Sequence, residues 1–366
     1  HINIPSDKPH AALILGFKHK ETLLMKSYRI KYKKLSLILL SSAVLLMSGC
    51  SSQQDEVQRY AWPVATASPE DTVTHIFAQR FADEVSRLSN GSMKIEVYPN
   101  STLGGDRELL ESCASGDIPF VVQNTAPQVA FMPEISIFDL PCAFDDIQSA
   151  RAAVDDPYFY SMIEEVYIKS GYRVLGFADQ GFRVMSTNRE IDNMIDFKGL
   201  KIRTMENPNH IRFWKTIGTN PTPMSFNEVY VGLQQGTIDA QENPYEVIAS
   251  GRLHEQQKYI IETNHVPHYI SLIVSDEFYQ GLDPDQQKII EEASESARDF
   301  ARNASDERVK QKISEISSDG TMILSLPEKL KEEFKKSAES VYPEIERQSG
   351  SEIYRAYLDT RKDTRG

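Results

Sequence analysis

Two arginines fall where this chain could meet a small anion. Arg203 closes the run Asp196-Phe197-Lys198-Gly199-Leu200-Lys201-Ile202-Arg203, which reads as a strand ending in a cation. Arg183 follows Gly181-Phe182 at the start of another strand. In open α/β sheets, ligands bind beyond the carboxyl ends of strands. A guanidinium at such an end offers a planar fork that matches a carboxylate in two parallel hydrogen bonds. The chemistry implied is recognition of an organic acid. The ordinary alternative for each arginine taken singly is a surface ion pair.

Two neighbouring segments frame these cations. Pro221-Thr222-Pro223-Met224-Ser225-Phe226 is a stiff turn into a helix, and Asp239-Ala240-Gln241-Glu242-Asn243-Pro244 is a polar loop. Catalytic and metal patterns are missing. There is no nucleophile elbow, no glycine-rich phosphate loop and no paired Cys/His arrangement. His254-Glu255 starts like a zinc-protease motif, but Lys258 occupies the second histidine position. His265 and His268 lie close together without an acidic helix around them, so no metal site is expected. Beyond Cys50, only Cys113 and Cys142 remain; both read as buried free thiols. Neither a metal nor another cofactor is expected.

The elements that must position these residues alternate. Strands are expected at 60–66, 93–97, 120–122, 172–177, 182–186, 200–203, 269–274 and 322–326, with 135–140 also extended. Helices are expected at 72–88, from Asp106 as cap, at 157–169, 208–217, 226–235 and 327–348. Such alternation predicts an α/β fold with mostly parallel strands. Pro284 to about Ser317 has few helix breakers, and at 1.5 Å per residue it would reach about 50 Å. A helix that long should cross two lobes.

The N-terminal region carries an address. Lys26, Arg29, Lys31, Lys33 and Lys34 precede an apolar run from Leu35 to Met47, then Ser48-Gly49-Cys50. This is the order of a secretory signal. The run is too short for a spanning helix, which needs about 20 residues. Residues 25–49 are expected to be a lipoprotein signal, cut so that Cys50 is lipidated. Residues 1–24 read as an upstream extension, and 50–58 as a polar tether. Residues 1–49 hold eight Lys/Arg and two Asp/Glu, so the 317 residues from Cys50 carry a formal charge of −19. That balance disfavours nucleic acid or anionic lipid as a partner. Membrane attachment would come through the acyl chains.

Residues 181–244 closely resemble the solute-binding subunits of tripartite ATP-independent periplasmic (TRAP) transporters, of the DctP type. The resemblance extends to Tyr98-Pro99-Asn100-Ser101-Thr102-Leu103-Gly104-Gly105-Asp106-Arg107-Glu108, Phe138-Asp139-Leu140-Pro141 and Glu255-Gln256-Gln257-Lys258-Tyr259. It implies a periplasmic-binding-protein fold of two α/β lobes joined by a hinge, with a long helix spanning both. The lobes would be 59–180 plus 269–308, and 181–268 plus 309–361. It also implies that Arg203 clamps a ligand carboxylate, Arg183 supports it, Asn243 adds a hydrogen bond and Phe226 packs on the ligand. By the same resemblance Asp106 and Asn124 would address hydroxyls, and Ala65 and Thr66 would offer backbone contacts. Trp62 and Tyr230 read as packing, and Glu242 as a support for the loop around Asn243.

The expected function is capture of an organic acid outside the cell, by a monomer, and delivery to TRAP membrane permease subunits. The ligand would be a sugar acid, such as a uronate or sialate, or a C4-dicarboxylate. A lipoprotein serving an ATP-driven importer is the alternative binder. An enzyme on the same architecture is the other class considered.

Overall fold

The protein is described by a computed structural model over residues 61–363. The expected upstream extension, lipoprotein signal, lipidation at Cys50 and tether all fall outside the described residues. Eleven strands form two sheets among the described residues: β1 (Trp62–Ala65), β2 (Ile95–Tyr98), β3 (Phe120–Asn124), β4 (Tyr172–Phe182), β5 (Val184–Thr187), β6 (Lys201–Thr204), β7 (Asn220–Pro223), β8 (Ala240–Asn243), β9 (Tyr259–Glu262), β10 (Pro267–Ser275) and β11 (Met322–Ser325). The first sheet runs β2-β1-β3-β10-β4 and the second β11-β9-β5-β8-β6-β7. Two α/β lobes therefore share one chain, which leaves the first sheet after β4 and returns to it in β10.

The sheets are more mixed than the alternation suggested. β10 runs antiparallel to both β3 and β4. β5 runs antiparallel to both β8 and β9. β4 and β5 are separated by Arg183 alone, and β9 and β10 by a short link, so these strands cross between lobes without a helix to reverse them. Antiparallel neighbours follow wherever the helical crossover is missing.

The helix Pro284–Ser318 is 35 residues long. Asp283 and Gln286 form a capping box at its start, with Pro284 in the first turn. Its small buried residues Ala293, Ala297 and Ala301 lie in the core under the first sheet, and Ile316 lies in the core of the second. One helix thus anchors both lobes. A further core is continuous behind them, from Leu109, Phe138 and Phe177 to Phe197, Trp214 and Ile261.

Other local expectations change. Residues 133–139 form a 3-10 turn, with Pro133 at its start, where an extended run was expected over 135–140. The helix expected over 327–348 divides into Glu328–Glu339 and Tyr342–Ser349, and a further helix, Ser351–Asp363, follows Gly350. Gly350 has φ +82°, which only glycine adopts without strain, so the chain breaks there. Cys113 is buried and Cys142 only partly so; both are free. Burial pushes both thiols up to about 12. Among the described residues no helix is long and apolar enough to cross a membrane.

Candidate functional site

Arg203 sits on β6, which is parallel to β7 and β8, with Arg203 opposite Gln241. The residue is buried, only 2 % exposed. Nε and Nη2 both donate to the Met224 carbonyl, at 3.0 and 2.7 Å. That carbonyl belongs to the stiff turn after β7, so the turn fixes the fork in place. No carboxylate lies within ion-pair distance of Arg203 among the described residues. Burial, with Arg183 nearby, lowers its pKa to about 10. The arrangement is a desolvated cation held by one carbonyl, with its Nη1–Nη2 edge still available. Such an edge suits a carboxylate from outside the protein.

A cavity of about 140 Å³ opens beside it, with Asp106, Phe131, Arg203, Met205 and Phe226 in its wall. An adjoining space of about 40 Å³ shares Asp106, Arg203 and Phe226 and reaches Asn124, Asn243 and His268. The sequence placed Asp106 as a helix cap. Instead Gly105 takes that position and Asp106 is the first helical residue, so its carboxyl faces the cleft rather than a backbone N–H. Gly104, at φ +135°, lets this loop fold tightly: a Cβ there would lie 2.9 Å from Glu108 Cβ. Burial pushes the Asp106 carboxyl up to about 6, against the pull of Arg203 and with help from Glu108 and Glu206.

Behind this surface lies a buried charged network. Arg183, fully buried, forks onto Glu242 through Nε and Nη2, with Nη2···Oε1 2.8 Å. The antiparallel register that pairs Val184 with Asn243 and Met185 with Glu242 brings them together. His265 Nε2 lies 3.0 Å from the same carboxylate. His210 bridges Asp139 at 3.2 Å and Glu242 at 3.6 Å. Burial opposes its charge, but the two carboxylates raise its pKa to about 9. Burial works against ionisation of Glu242 too, yet Arg183 and the histidines hold its carboxyl well below the usual range. Asn207 and Asn209, which follow β6, both donate to Asp139, at 2.8 and 3.0 Å. The network therefore ties the segment after β3 to the second lobe.

The chain matches the family described as bacterial extracellular solute-binding protein, family 7 (DctP), over residues 64–349. It belongs to the DctP family. A solute-binding protein of Verminephrobacter eiseniae is 37% identical over 220 residues, covering 60% of this chain and 65% of that protein. Among solved structures, the sugar acid binding protein of Advenella mimigardefordensis in complex with galactonate superposes with a TM-score of 0.81 at 26% identity. That match covers 84% of this chain and 99% of that one. A TRAP periplasmic solute-binding protein from Polaromonas, bound to D-erythronate, superposes with a TM-score of 0.78 at 31% identity, covering 82% and 98%.

Set on this DctP fold, the residues singled out from sequence fall into two groups. Arg203, Asn243, Phe226, Asp106 and Asn124 all line the cleft. Arg183, Ala65 and Thr66 are not in the lining. Arg183 bonds Glu242 and His268 and lies behind the surface. Ala65 is a core residue of β1. The Thr66 N–H bonds to the Tyr98 carbonyl at 3.0 Å. The cleft is reached one residue later, by Ala67. Asn124 is largely occupied: Oδ1 accepts from Ala126 N–H at 2.9 Å and Nδ2 donates to the Tyr269 carbonyl at 2.8 Å. Asn243 Nδ2 donates to Gln241 at 2.7 Å. Trp62 packs edge-on against Phe278, 5.0 Å between ring centroids, away from the cleft lining. His268 was passed over in the sequence except as a rejected metal ligand, and it lines the cleft.

Proposed function

We propose that this protein is the extracytoplasmic receptor of a TRAP transporter. It captures an organic acid between its lobes and delivers it to the membrane permease subunits. Arg203 carries the reading: a buried guanidinium in the cleft lining, with no carboxylate within ion-pair distance among the described residues, gains most from a ligand carboxylate. Asp106 opposite it, with a pKa near 6, can accept from or donate to a hydroxyl. That pairing favours a hydroxylated acid, such as a uronate, sialate or aldonate, over a plain C4-dicarboxylate. The galactonate and D-erythronate complexes of its structural relatives support the same class. The protein works as a monomer without cofactor, metal or nucleic acid, and a lipid on Cys50 holds it at the membrane.

A thermal-shift screen over galactonate, D-erythronate, D-glucuronate, N-acetylneuraminate and succinate tests the reading. A ligand at 100 times its Kd adds about 2.7 kcal/mol to the folded state. At least one hydroxy acid should raise the melting temperature, and more than succinate does. A protein that responds to none of them contradicts the proposal.

A further inference from the structure

His268 sits at the start of β10 and is among the residues that line the cleft, with Arg203, Asn243 and Asp106. Two donors converge on its Nδ1. Arg183 Nη1 lies 2.5 Å away and Asn124 Nδ2 3.3 Å away. An arginine can only donate. The Asn124 amide is oriented independently, since its Oδ1 accepts from a backbone N–H. Nδ1 must therefore offer its lone pair, and the ring proton must sit on Nε2. Burial and the adjacent Arg183 charge also hold the ring neutral, its pKa well below the usual value. Among the described residues, Nε2 has no hydrogen-bond partner.

We propose that His268 is a ligand-contacting residue that donates its Nε2–H to a ligand oxygen beside the Arg203-bound carboxylate, and that Arg183 positions it by fixing the tautomer. This rests on the organic-acid reading of the cleft and gives Arg183 a function without ligand contact. A neutral donor is suited to an uncharged oxygen, the hydroxyl or oxo group next to a carboxylate. The Arg203 cation alone would not distinguish acids by that group.

The test pairs two isosteres with one spectrum. Asparagine in place of His268 reproduces Nδ1 and keeps an acceptor for Arg183, but it removes the donor to the cleft. Glutamine reproduces Nε2 and keeps the donor. Calorimetry uses whichever of galactonate, D-erythronate, D-glucuronate, N-acetylneuraminate or succinate binds most tightly. A neutral hydrogen bond is worth about 1 kcal/mol net, so His268→Asn should weaken binding about fivefold. His268→Gln should stay within about twofold. Long-range proton–nitrogen correlation on histidine-labelled wild-type protein should show the Nε2–H tautomer, with the Nε2 signal moving on saturation. In Arg183→Gln the tautomer should become mixed. A wild-type Nδ1–H tautomer, or His268→Asn binding as wild type does, overturns the inference. Arg203→Ala runs alongside. A probe lost there but untouched by His268→Asn overturns only this inference. A probe indifferent to Arg203→Ala, or no binding by any of the five, overturns the organic-acid reading and this inference with it.

Discussion

Glu246, in the helix Tyr245–Ser250 that follows β8 of the second sheet, accepts the backbone N–H of Val73 at 3.0 Å. Val73 opens the helix Val73–Leu88, which covers the first sheet. A carboxylate of one lobe thus satisfies an otherwise unpaired donor at a helix N-terminus of the other, where negative charge is favoured. Gln180 Nε2 donates to the same carboxylate at 2.6 Å. Arg308 bridges it to Asp71, and Lys312 Nζ meets Asp71 at 2.6 Å. These contacts join the lobes on the long-helix side.

If this cluster holds the lobes together, Arg308→Ala shifts the ligand-free protein toward an open form. Scattering should give a larger radius for the unliganded variant than for wild type, and ligand should shrink both. Affinity should fall several-fold, because closure then draws on binding energy. Identical radii for all four samples would contradict a hinge.

Arg183→Ala tests the buried pair. Removing one member leaves Glu242 uncompensated in the interior, which costs roughly 3–5 kcal/mol. Urea denaturation should show that loss with little change in m. A loss below about 1 kcal/mol would mean that His210 and His265 alone satisfy the carboxylate.

How much of this was written in the sequence depends on the range of the interaction. Arg203 could be found because its strand, its end position and the Pro-Met-Ser turn are local features. Asp106 was found too, although its position in the helix was off by one residue. The Arg183–Glu242 pair could not be read in the same way. The two residues meet only because β5 and β8 are antiparallel in a fixed register, and a one-residue slip would turn Glu242 to the opposite face. His268 was missed for a related reason. A lone histidine carries no local signal, and its tautomer is set by residues from β3 and the β4–β5 junction. The antiparallel strands escaped notice because the interlobe crossings lack the helices that mark parallel connections.

The Asp106 carboxyl predicts a pH effect of definite sign. Its folded pKa, about 6, lies above the unfolded value of 3.8. Between those values the folded state holds the extra proton, so this group's contribution to stability is present below about pH 4 and falls as pH rises to 6. Asp106→Asn should therefore melt higher than wild type at pH 7 without ligand, by roughly 1–2 kcal/mol after allowing for the open cleft. The difference should vanish near pH 4. A variant less stable than wild type at pH 7 would contradict the burial of that charge.

His210 gives the complementary case. Its folded pKa, about 9, lies above the unfolded 6.5. The stabilisation from its bridge between Asp139 and Glu242 is complete below about pH 6.5 and declines as pH rises through 9. Chemical denaturation across that window should show wild type losing stability, and His210→Gln should flatten the slope.

Lipid attachment is tested on protein taken from its native membrane. Mass spectrometry should find an acylated N-terminal Cys50. An unmodified N-terminus elsewhere would contradict the anchor.

Ligand capture is expected to depend most on the Arg203 clamp. Truncating one partner of a desolvated, hydrogen-bonded charge pair costs roughly 2–5 kcal/mol. Calorimetry with the tightest-binding acid should show Arg203→Ala weakened by roughly 30-fold to several thousand-fold. Arg203→Lys should recover only part of that loss, because an ammonium cannot fork. Arg203→Ala binding within about threefold of wild type, under ~0.7 kcal/mol, in a variant that melts normally, would contradict the carboxylate clamp at Arg203.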